Sequence, residues 1–133
     1  MKAVFLHAAP YADDALNLPV ADVDAAVPYY ESKFGFQVLE RRDETPKSAI
    51  LGRDQIRIGL CENGGDPTQE GCFFEVDDIV AAFEEIRGKS PTVNDIKTQA
   101  SFGKNYRVFF EIAPDGLCYM LGQRVKPTIG IAD

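Results

Sequence analysis

The residues best suited to chemistry in this chain are two carboxylates set beside paired phenylalanines, Glu75 in Cys72-Phe-Phe-Glu-Val76 and Glu111 in Val108-Phe-Phe-Glu-Ile112. Two carboxylates in unequal surroundings can divide proton donation and acceptance. The plainer role, ion pairing with Arg57 or Arg107 within a sheet face, is the default. Phe73, Phe109 and Met120 would give such a face apolar area, and Asn17 a polar amide. The phenylalanines serve equally well as packing between modules or subunits. Other candidate groups are weaker. Cys61, Cys72 and Cys118 are odd in number and lack CxxC spacing, so they read as reduced core thiols. The single histidine, His7, reads as a surface or packing residue, and Tyr29 and Tyr30 as core or helix-end residues. Gly64-Gly65 lacks the lysine and following helix of a phosphate loop and reads as a linker.

The elements that must position these groups occur twice. Val20-Ala-Asp22 through Val27 matches Val76-Asp-Asp78 through Phe83 at a constant offset. A repeat of this kind implies one supersecondary unit used twice. Each copy opens on an alternating strand, Leu16 to Val20 and Cys72 to Val76, followed by an aspartate suited to capping a helix: Asp22 or Asp24, then Asp77 or Asp78. The first helix carries Val23, Ala26, Val27, Tyr30 and Phe34 as its stripe, interrupted by Pro28. The second carries Ile79, Ala82, Phe83 and Ile86 and stops at Gly88. Three short strands follow each helix: 37–42, 48–52 and 55–61, then 96–100, 106–113 and 117–123, with Arg53-Asp54 and Pro114-Asp115-Gly116 as tight turns.

Alternation then divides each strand between two faces. The uniformly apolar set, Leu16, Leu18, Val20, Ile56, Ile58, Leu60, Cys72, Phe74, Val76, Val108, Phe110, Ile112, Leu117, Tyr119 and Leu121, is expected under the helices. The opposite face would carry Asn17, Arg57, Phe73, Glu75, Arg107, Phe109, Glu111 and Met120, a mixture suited to a small-molecule cleft. Phenylalanines near carboxylates suit a flat, cationic ligand. Arg57 and Arg107 oppose that preference, so ligand polarity stays open.

The stretch Leu18-Pro-Val-Ala-Asp22, through Pro28-Tyr-Tyr30 to Phe34-Gly-Phe36, resembles the opening of the vicinal oxygen chelate superfamily, the glyoxalase, bleomycin-resistance and extradiol dioxygenase fold. Arg107 to Gly116 resembles its closing hairpin, with Ala113 where the family usually has aspartate. The resemblance implies an α+β fold of two tandem βαβββ modules, about 15–62 and 71–123, whose curved mixed sheets enclose a cleft within a single domain spanning 1–133. It also implies a homodimer, since the family often completes its cleft with modules from two chains; pairing of the two modules within one chain is the alternative. The family's metal-ligand positions fall on Ala15, Gly59, Gly71 and Met120, none of which is a hard-metal ligand. The expectation is therefore no metal and no cofactor, in the manner of the bleomycin-resistance-like members.

With 133 residues, 45% hydrophobic content and a net charge of −7, the chain has the makings of a core but little attraction for nucleic acid or anionic membranes. The start, Met1 to His7, is too short for a signal sequence, which points to the cytoplasm. The tail after Gln123, with Arg124, Lys126 and Pro127, reads as an arm that reaches a partner. Three functions stand at this level. The preferred one is binding or sequestering a small molecule without turnover. The others are a metal-independent enzyme using cleft carboxylates and an assembly or regulatory module with a degenerate cleft.

Overall fold

Asp22 and Asp78 start the two helices by the same device. Each has an extended backbone and accepts a hydrogen bond from the amide three residues on, Ala25 at 3.2 Å and Ala81 at 3.0 Å. In the computed structural model, which describes residues 3–10, 16–69, 71–101 and 103–125, these helices are α1 (Val23–Lys33) and α2 (Ile79–Arg87). The strands are β1 (Phe5–Pro10), β2 (Leu18–Pro19), β3 (Gln37–Arg42), β4 (Ser48–Arg53), β5 (Ile56–Cys61), β6 (Gly71–Val76), β7 (Lys97–Ser101), β8 (Lys104–Ile112) and β9 (Cys118–Arg124). A second capping contact is also repeated: the first helical amide donates to a side chain just beyond or at the end of the module's last strand. Val23 donates to Glu62 and Ile79 to Gln123, both at 2.9 Å.

The element order is strand, helix and three strands, twice over, in an α+β fold of two sheets. Sheet order is β2-β5-β4-β3 in one and β1-β6-β9-β8-β7 in the other. Within each, the strand before the helix lies parallel to the last strand: β2 to β5 and β6 to β9. The strand β1 lies outside the repeated pattern. It pairs antiparallel with β6, and Asp77 anchors its start by exchanging two hydrogen bonds with the Val4 backbone, at 2.8 and 3.1 Å. The Phe5 carbonyl accepts from the Gln55 amide at 3.2 Å, so the sheets abut where β1 meets the start of β5.

Both helices cover the same side of the two sheets, and one continuous core fills the space beneath them. Burial of this much apolar surface is the main force holding the halves together. Phe5, Tyr30, Phe34, Phe36, Phe74 and Tyr119 form its aromatic centre; Phe74 stacks on Tyr119 at 5.1 Å, and the Tyr30 and Tyr119 hydroxyls meet at 2.7 Å. Arg53, only 7% exposed, pins the arrangement. Its guanidinium clasps Glu85 of α2 at 2.6 and 2.9 Å and donates to the Phe34 carbonyl at the end of α1 and to Ala3 before β1. It also lies 4.2 Å from the centre of the Phe5 ring.

Two expected face assignments are reversed. On β8, Phe109 is buried against Phe83 of α2, while Phe110 and Ile112 are 45% and 67% exposed on the far side. The sequence Val108-Phe-Phe-Glu-Ile112 is apolar on both faces, so alternation alone does not set its phase; pairing of Phe109 with the core residue Leu121 does. Leu16, expected in the core, is 48% exposed in a turn ahead of the two-residue β2. Its carbonyl lies over Gly59, where a Cβ would approach it to 2.0 Å. Only glycine leaves room for that crossing.

Candidate functional site

The face away from the helices, the outer face, borders two openings, and the larger wraps round the sheet edge to Ala3, Gly35 and Arg53. On the four-stranded sheet, register places Gln37, Gly52 and Arg57 side by side, and Arg42, Ser48 and Cys61 side by side. The first group contributes to a cleft of about 610 Å³ that also takes in Val4, Leu39, Asp54 and Gln55. The second contributes to one of about 330 Å³, with Leu16, Asn17 and Ile50. The Leu16–Gly59 crossing lies on this same face, since Gly59 pairs with Ile50.

These clefts collect only part of the expected site. Arg57 lies in the larger one, exposed and without a hydrogen bond or ion pair among the described residues, and so available to a ligand's anionic or carbonyl group. Asn17 borders the smaller one, its carbonyl held by the Asn63 amide at 3.1 Å. Phe73 and Met120 do lie on the outer face of the five-stranded sheet. They are buried there with Tyr106 and Val108 in a second small apolar cluster. Glu75 is half-buried on the same face, its register partner His7. Burial first, then the Glu75 charge, raises the pKa of Tyr106 above its ordinary value.

Arg107, Phe109 and Glu111 lie on the helix side instead, a correction that follows from the reversed phase of β8. Arg107 pairs in register with Gln123, whose side chain caps α2. Glu111 accepts from the Tyr29 hydroxyl at 2.8 Å and pairs with Arg87 at 2.8 Å rather than with Arg57 or Arg107. Burial and this carboxylate together hold the Tyr29 phenol well above its ordinary pKa. Glu75 and Glu111 thus stand on opposite faces of one sheet, which removes the acid–base pair. A nucleophilic Cys72 is disfavoured as well, because burial pushes its thiol up to about 12.

Of the cleft residues missed from sequence, Gln37, Leu39 and Gly52 lie on or beside the edge strand β3. Every residue of that strand is exposed, so alternation there carries no burial signal. Leu39 packs over Gly52 across the bulge between Val38 and Glu40, which moves it out of strict alternation.

Among the described residues, the side chains do not fit a divalent ion of the kind the fold family uses. Of the four positions, Ala15 lies outside the described residues, as does the tail from 126 onward. Gly59 is covered by the Leu16 backbone, and Met120 is buried among apolar side chains. Among the described residues no group of three or more His, Cys, Asp or Glu is placed to hold a metal. No helix among them is long and apolar enough to cross a membrane.

Paired strand-helix-three-strand halves around an open, helix-free face define the class of fold. The model of the Glyoxalase/Bleomycin resistance protein/Dioxygenase superfamily matches residues 7–117, and the chain belongs to that family. No match was found among curated proteins. The chain is similar in structure to the virulence protein STM3117 of Salmonella typhimurium, at 18% identity and a TM-score of 0.64 over 86% of this chain and 97% of that one. It is similar also to a bleomycin resistance determinant encoded on transposon Tn5, at 23% identity and 0.58 over 84% and 98%. TnmS3, an antibiotic binding protein from Streptomyces sp. CB03234, matches at 16% identity and 0.58 over 86% and 97%.

Proposed function

We propose that this protein binds and sequesters a small organic molecule in the outer-face cleft, without metal-dependent catalysis. The observation that carries the reading is the 610 Å³ cleft, of a size that suits a drug-like ligand. It offers the apolar side chains of Val4 and Leu39 beside the polar Gln37, Gln55 and Arg57. Similarity in fold to a bleomycin resistance determinant and an antibiotic binding protein supports the same reading. Arg57 is assigned the orienting contact. Of the other outer-face candidates, Asn17 borders the neighbouring cleft and Glu75 supplies charge on the five-stranded sheet, while Phe73 and Met120 are buried there in an apolar cluster.

The exposed Phe110 and Ile112 on the outer face of β8 support a homodimer in which a second copy covers them. The test is calorimetry with bleomycin and with an unrelated aromatic antibiotic, alongside light scattering of the free protein. Saturable binding without consumption of the drug, weakened about tenfold or more in Arg57→Ala through loss of a charge-assisted hydrogen bond, is the expected result. No heat from either compound at micromolar protein, or equal binding by the variant, would overturn it.

A further inference from the structure

We propose that the groove between the start of α1 and the β8–β9 turn is a second binding site, selective for a small organic ammonium ion with a short apolar body. It lies on the helix side, independent of the outer-face cleft, and encloses about 210 Å³. Ala25, Ala26, Pro114 and the Tyr29 ring supply apolar walls, and Asp22 and Asp115 supply carboxylates.

The hydrogen-bonding capacity of these walls sets the ligand's sign. The Tyr29 hydroxyl proton is committed to Glu111 at 2.8 Å, which leaves its oxygen as an acceptor. Three amides at the start of the helix that would draw an anion are taken: Val23 donates to Glu62 at 2.9 Å, Ala25 to the Asp22 carboxylate at 3.2 Å and Ala26 to the Asp22 carbonyl at 3.0 Å; Asp24 does not line the groove. Asp115 accepts from the Leu117 amide on one oxygen and the Tyr30 hydroxyl on the other, at 3.0 and 3.1 Å, and each carboxylate oxygen retains a lone pair. Two carboxylates and a phenol oxygen among these walls favour a cation that brings its own N–H groups, and an aromatic wall adds attraction for that charge. The apolar walls favour an alkyl ammonium over a hydrated metal ion, which keeps its water and wants more oxygen ligands than two carboxylates supply. Burial raises the Asp115 pKa, so this carboxylate is short of solvation that a bound ammonium would replace. The net charge of −7 favours cation encounter at long range.

The test uses amide-resolved NMR of the full chain titrated with isobutylammonium chloride and, separately, with isobutanol, which has the same shape without the charge. Saturable shifts at residues 21–26 and 114–117, with the alcohol about tenfold weaker, are expected. Ala25→Leu, an exposed helical substitution that fills the groove without entering the core, should abolish them, and Asp115→Asn should weaken the ammonium but not the alcohol. Equal response to both compounds would overturn the site, as would shifts that survive Ala25→Leu or that fall mainly on outer-face residues. Bleomycin binding should be unchanged in Ala25→Leu, so the two proposals fail separately.

Discussion

Asp115 sits at the turn joining β8 and β9, where its backbone neighbours and the Tyr30–Tyr119 hydroxyl pair converge on a partly buried carboxylate. Burial is the largest influence on it and raises its pKa above the ordinary 3.8; the hydrogen bonds from Leu117 and Tyr30 offset only part of that. The folded protein therefore binds this proton more tightly than the unfolded chain does. Its stabilising contribution is complete below pH 3.8 and is lost as pH rises through the folded-state pKa. Asp115→Asn, neutral throughout, should gain stability relative to the parent as pH rises above 3.8 and then hold a constant difference. Urea denaturation at a series of pH values reads this directly, and a variant that loses stability relative to the parent as pH rises would contradict it. At the same scale, the pair of glutamates that stood out in the sequence has separated into different roles. Glu75 keeps to the outer face with His7, and Glu111 locks Tyr29 and Arg87 beneath the helices.

Strand β8 is the element whose phase most affects the reading of the site. Because Phe109 packs into the core at 3% exposure while Phe110 faces outward, their truncations should differ sharply. Phe109→Ala is expected to cost about 3–5 kcal/mol, the range for emptying a buried aromatic site. Phe110→Ala should change monomer stability by less than about 1 kcal/mol, as for an exposed position. In the proposed homodimer it should instead weaken self-association measured by sedimentation. Equal destabilisation by the two variants would mean the strand's phase is not as described. The helices behave as their caps dictate: Asp22 and Asp78 were each one of two aspartates in sequence, and in each case the one whose carboxylate reaches the amide three residues on is the cap. Asp77, the unused candidate, ties β1 to β6 instead. Pro28 is accommodated at an exposed position inside α1.

Over the whole molecule, Arg53 is one of the side chains that join the repeated halves, linking β4, the end of α1, Ala3 ahead of β1 and Glu85 of α2. Arg53→Met removes one side of a nearly buried pair and leaves Glu85 without its partner. Such changes cost about 3–5 kcal/mol. Arg53→Met with Glu85→Leu should recover much of that loss, because no buried charge remains unpaired. Thermal unfolding of the single and double variants checks the cycle; a double variant no more stable than Arg53→Met would show that the contacts to the Phe34 and Ala3 carbonyls carry the effect.

The repeat, the neighbourhood of each helix start and the face of those strands whose two sides differ in polarity are legible in the chain alone, because hydrophobic alternation and capping act over a few residues. Cys72, Phe74 and Val76 on β6, and Ile56, Ile58 and Leu60 on β5, were legible in this way and are buried. Features that depend on contacts between distant residues emerge only in the fold. Register against β9 set the phase of the doubly apolar β8, and the Leu16 carbonyl fixed Gly59 from across the sheet. The pairing of β1 with β6 brought His7 opposite Glu75. The cleft around Arg57 likewise took shape only when an edge strand without a burial pattern, β3, was laid beside β4 and β5.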